Sequence, residues 1–90
     1  MPSYLVETFL ARAAAAERHA RERRSRSAAE VLTREGTRVR FEGSLHVPDD
    51  EICFFTFAAA SAREAALVAL RAGLEPLRVV EAVSSRKEEP

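Results

Sequence analysis

The 90-residue sequence has no tryptophan, one tyrosine, one methionine, one cysteine and three glycines. With a single cysteine, Cys53, an internal disulfide is excluded, and the chain fits a reducing compartment. Gly36, Gly43 and Gly73 are scattered singly. No glycine-rich loop is present to cradle a phosphate, which argues against nucleotide and dinucleotide cofactors. An excess of one charge sign is also missing: 14 Lys and Arg balance 14 Asp and Glu. No overall field therefore draws the molecule to nucleic acid or anionic lipid. No apolar run approaches the ~20 residues that a membrane span needs. The N-terminus, MPSYLVETFL, has neither the basic start nor the apolar length of a signal peptide. These absences predict a cytoplasmic domain with no membrane partner.

What is present is a hydrophobic share of 47% and a charged share of 31%, the balance of a small globular domain with one modest core. A single domain is expected over residues 1–83, followed by a charged, flexible tail over residues 84–90. Thr37 to Ala59 reads as two strands joined by a tight polar turn. Val39, Phe41, Leu45 and Val47 alternate with Arg40, Glu42, Ser44 and His46, the period-two pattern of a half-buried strand. Pro48-Asp49-Asp50-Glu51 breaks this pattern with turn formers. Ile52 to Phe57 then resumes with aromatic and β-branched residues. A four-residue turn sets Val47 opposite Ile52 and His46 opposite Cys53. Gly43, in mid-strand, marks a bulge or the close approach of another backbone.

Ser3 to Phe9 is a further strand, apolar on both sides except at Glu7, as suits the middle of a sheet. Ala11 to Glu35 is rich in Ala, Arg and Glu and is expected to be one helix about 37 Å long at ~1.5 Å per residue, ended by Gly36. Its buried stripe is read as Ala13, Ala16, Ala20, Ser27, Val31 and Leu32, and Ser27 to Glu30 offers an internal capping box. A second box, Ser61 to Glu64, opens a helix that Gly73 ends. Leu77 to Val83 is the last strand. The order β-α-β-β-α-β is the ferredoxin-like, split-βαβ arrangement of the α+β class. It places a four-stranded antiparallel sheet under two helices, with the first and third strands central. The other sheet face is left open. With Ile52 and Phe54 turned toward the helices, Cys53, Phe55 and Phe57 lie on that open face, and two chains are expected to stack there.

On the same reading Glu42, Ser44 and His46 join Cys53, Phe55 and Phe57 on one face. Glu7 and Glu81, which interrupt apolar strands, are further candidates. Imidazole, thiolate and carboxylate together suit a borderline divalent ion such as nickel or zinc. The metal candidates are thus His46, Cys53, Glu42, Glu7 and Glu81, although no C-x-x-C, H-x-H or H-E-x-x-H spacing supports them. The plainer alternative is packing plus a hydrogen bond for the His46–Cys53 pair, with arginine partners for the acids. A nucleophile–base role for that pair lacks an orienting third group, so no reaction is assigned. Arg18, Arg21, Arg23, Arg24 and Arg26 alternate with Glu17, Glu22 and Glu30 as on a solvated, ion-paired helix face, which argues against nucleic acid.

Seven segments carry a resemblance: Tyr4-Leu5-Val6-Glu7, Gly36-Thr37-x-Val39-Arg40, Val47-Pro48-Asp49-Asp50-Glu51, Cys53-Phe54, Ala60-Ser61, Arg71-Ala72-Gly73-Leu74 and Arg78-Val79-Val80-Glu81-Ala82. Together, from Tyr4 to Val83, they resemble a family of small actinobacterial domains of unknown function, often labelled nickel-binding protein. The resemblance implies a ferredoxin-like fold, a homodimer and nickel, and it implies no enzymatic reaction. Three readings follow. One is a homodimer holding a divalent metal near His46, Cys53 and the carboxylates. Another is a dimeric α+β barrel whose inter-sheet cavity, lined by Phe55, Phe57 and Tyr4, takes an apolar small molecule. The third is an interaction module without a ligand.

Overall fold

Tyr4, Val6 and Thr8 are buried while Leu5, Glu7 and Phe9 are not, so the first strand, β1 (Ser3–Phe9), turns one edge of its pleat into a core. The computed structural model describes residues 1–83, and the expected tail over 84–90 lies outside the described residues. After β1 come helix α1 (Glu17–Arg34), strands β2 (Val39–Val47) and β3 (Ile52–Ala59), helix α2 (Ala62–Arg71) and strand β4 (Arg78–Ala82). The four strands form one antiparallel sheet in the order β2-β3-β1-β4. This is the ferredoxin-like α+β fold, with the expected strands in the centre.

The long helix differs from its expectation. A 3-10 turn over Arg12–Ala14 precedes α1, which begins only at Glu17. Ala13, Ala15 and Ala16 are exposed and gain nothing from packing. Arg12, meanwhile, is tied to the β2–β3 turn: its backbone N–H donates to Glu51 Oε2 at 3.3 Å, and its guanidinium pairs with Asp49. Tertiary anchoring overrides helix propensity here. Of the expected stripe Leu32 is buried, Ala20 and Val31 are half-buried, and Ala13, Ala16 and Ser27 are exposed; Ser25 and Ala29 complete the buried face of α1. Ser27 to Glu30 lies inside the continuous helix and restarts nothing.

α2 opens as expected. Ser61 Oγ accepts from the Glu64 N–H at 3.3 Å, and Gly73 follows the helix with a positive φ of 78°. Both turns of chain around the β2–β3 hairpin also fit: His46 faces Cys53 and Val47 faces Ile52. The core lies between the helices and one sheet face. It is built from Tyr4, Val6, Leu10, Leu32, Val39, Phe55, Phe57, Val68 and Leu74, with alanines 29, 59, 65, 69 and 72 between them.

Candidate functional site

The sheet has two faces, and their assignment differs from the expectation. Cys53, Phe55 and Phe57 are each 0% exposed and point toward the helices. Across β1 they pair with Thr8, Val6 and Tyr4, which are buried on the same side. The uncovered face is carried instead by Leu5, Glu7 and Phe9 of β1 and by Ile52, Phe54 and Thr56 of β3. Tyr4, Phe55 and Phe57 therefore cannot line a cavity between stacked sheets, because each is spent on the core of a single chain.

A bulge in β2 explains a second difference. Phe41 pairs with Phe57, but Gly43 pairs with Thr56, so Glu42 is an extra residue in the ladder. Beyond the bulge the parity of the strand reverses. Val39 and Phe41 face the helices, whereas Leu45 and Val47 face away, opposite Phe54 and Ile52. Ser44 and His46 consequently join Cys53 on the helix side, as grouped by the sequence, while Glu42 leaves that group. Glu42 accepts from Ser3 Oγ at 2.8 Å and from Arg40 at 3.2 Å.

The proposed metal donors can now be placed one by one. His46 Nε2 donates to the Leu10 carbonyl at 3.0 Å, so the nitrogen is occupied. The Cys53 thiol is fully buried, and desolvation raises its pKa; Arg18 and Arg21 oppose that shift, and Glu22 adds to it. A thiolate, the metal-binding form, is thereby disfavoured. Glu7 lies on the opposite face, held by Arg78 Nε at 3.2 Å. Glu81 is on the helix side but pairs with Tyr4, four residues along β1 from the Thr8 partner of Cys53. At ~3.3 Å per residue that is about 13 Å. The five donors do not meet at one point, and this set does not fit a single divalent ion. Among the described residues no group of three or more His, Cys, Asp or Glu is arranged to hold a metal. Ser44 instead bonds to Glu22 of α1, and His19, also on α1, lies beside Glu22 at 3.6 Å.

What the fold does bring together is an apolar strip on the uncovered face. Leu5, Phe54 and Leu45 occupy neighbouring central and edge strands, with Val80 beside Leu5 on β4. Leu45 is 63% exposed, and Phe9, at the end of β1, is 55% exposed. The charges on this face are satisfied within the chain: Glu7 with Arg78 and Glu42 with Arg40. The sequence did contain a signal for this face. Glu7 is the one charge in β1, and the strand side that carries it belongs to solvent.

Comparison with solved structures finds a similar one. It is the crystal structure of SCO4226 from Streptomyces coelicolor A3(2), with a TM-score of 0.67 and 17% sequence identity. The alignment covers 92% of this chain and 98% of that chain. At this identity the likeness establishes the shared fold. No family model and no curated protein matches the sequence. Among the described residues no helix is long and apolar enough to cross a membrane.

Proposed function

We propose that this chain is a self-associating module in which two copies stack their uncovered sheet faces. The observation that carries this reading is the strip formed by exposed Leu45 with half-buried Phe54 and Leu5, on a sheet whose other face is already covered. Apolar surface left uncovered on a sheet is costly in water and is a mark of an interface. A second copy suits the strip because the charges among its apolar side chains are neutralised. Each acid on the face is already matched by an arginine of the same chain, so two identical faces meet without repulsion. The free thiol, wholly buried at Cys53 and without a disulfide partner, accords with a cytoplasmic home. Secretion of the natural protein into an oxidising compartment is the finding that defeats this last point.

The test is the mass in solution of wild type, Leu5→Arg and Phe54→Arg, measured by sedimentation velocity over a range of concentrations. The expected result is a reversible dimer for wild type and a monomer for both variants, each with an unchanged circular dichroism spectrum. A wild type that stays monomeric at high micromolar concentration overturns the reading. So does a dimer that both arginine variants preserve.

A further inference from the structure

A cleft of about 420 Å³ lies between the first turns of α1, the end of β1 and the chain that links α2 to β4. Its volume is within the range of small-molecule sites, ~300–1,000 Å³. Two guanidiniums line it, and both are held in place by backbone carbonyls. Arg21 donates to the Phe9 carbonyl at 3.0 Å, and Arg24 Nε donates to the Ala72 carbonyl at 2.8 Å. Arg24 lies over Gly73, where a Cβ would sit in ordinary contact with its Nε at 3.5 Å and where a φ of +78° favours glycine.

The charges of the cleft do not cancel evenly. Arg21 is paired with Glu17 at 3.5 Å. Arg24 and Glu75, which also line the cleft, have no opposite charge within ion-pair distance among the described residues. One fixed cation and one acid are thus left facing a common space. Beside them Phe9 and Leu77, 55% and 63% exposed, supply apolar lining. A simple anion gains from Arg24 but meets Glu75, and a simple cation meets the reverse. A molecule that carries both charges gains from both groups.

The geometry points to this cleft as a binding site for a small zwitterion with an apolar body, the chemistry of an apolar α-amino acid. Its carboxylate pairs with Arg24, its ammonium with Glu75, and its side chain covers Leu77 and Phe9. Arg24 serves two ends at once, because the same guanidinium holds the Ala72 carbonyl at the C-cap of α2.

The test is a ¹H–¹⁵N correlation titration of the full chain with L-leucine, L-leucinamide and N-acetyl-L-leucine. With L-leucine, saturable shifts are expected at the Gly73, Glu75 and Leu77 amides and at the Arg24 side-chain N–H. The two blocked compounds, each lacking one charge, are expected to bind about tenfold more weakly. Arg24→Gln removes the carboxylate partner and also the bond to Ala72, so it can loosen the end of α2. Glu75→Gln makes no such bond and keeps the test decisive; its expected effect on L-leucine affinity is again a loss of about tenfold. Three results overturn the proposal: no saturable shift at millimolar L-leucine, equal binding by either blocked compound, or unchanged affinity in Glu75→Gln.

Discussion

At the scale of single residues, two buried polar groups report on the core in opposite ways. Ser25 is 0% exposed in the middle of α1, and its hydroxyl has no hydrogen-bond partner among the described residues. An unpaired hydroxyl in an apolar setting costs roughly 1–3 kcal/mol, and alanine is also the better helix former. Ser25→Ala is therefore expected to stabilise the fold by about 1 kcal/mol, read as a higher urea midpoint at unchanged m-value. A lower midpoint means that the hydroxyl has a partner in solution. Cys53 acts through its proton. Burial raises the folded thiol above its ordinary value of 9.0, so the folded state holds the proton at pH values where the unfolded chain has released it. The thiol's contribution to stability is complete about one unit below pH 9.0 and is lost as pH rises through 9.0 toward the folded value. Comparing wild type with Cys53→Ala isolates the effect from other titrating groups. The stability gap between them is expected to narrow between about pH 8 and about pH 10. A constant gap means that the thiol titrates alike in both states.

At the scale of elements, the order of strands and helices, the hairpin register and the Ser61 cap were all legible in the sequence, because each rests on local chemistry. Which face of the sheet is covered was not, and β3 shows why. Its two sides, Ile52 with Phe54 and Cys53 with Phe55 and Phe57, are almost equally apolar. Only the pairing of Phe54 with Glu7 of β1 decides between them, and that register is a long-range fact. The β2 bulge hides in the same way. Val39, Phe41, Leu45 and Val47 look like one face, yet one extra residue at Glu42 divides them into two. The metal set fell apart for this reason, since Glu42 and Glu7 belong to the face away from His46 and Cys53. Gly43, just after the extra residue, adopts a φ of +152° with open space around the position of a Cβ. Gly43→Ala therefore meets no clash, and its expected cost of about 1–3 kcal/mol is that of the backbone conformation alone. Chemical denaturation measures it. Unchanged stability means that β2 can relax the bulge at no cost, and the division of the strand is then not enforced by the backbone.

At the scale of the whole molecule, the Cα envelope is 36 × 31 × 20 Å, a slab one sheet and one helix layer thick. The proposed dimer closes the open side of that slab, and its strength can be bounded from the sheet. Four strands ~4.8 Å apart and about seven residues long project about 450 Å² per copy, or roughly 900 Å² in all. Side-chain relief adds to this, which leaves the interface at the small end of specific association. A reversible dimer with a micromolar Kd is expected, rather than an obligate one. The thermal transition then depends on concentration, because unfolding a dimer releases two chains. Above the Kd, each tenfold rise in protein adds about 1.4 kcal/mol per dimer. For a pair of domains this size, that moves the Tm upward by about 3–6 °C. Below the Kd the Tm is expected to level off at the value of the single chain. Leu5→Arg is expected to show only that level value at every concentration, since its substitution lies outside the helix-side core. Differential scanning calorimetry from micromolar to millimolar protein separates the cases. A wild-type Tm that stays flat across the range means that the uncovered face is not closed by a second copy.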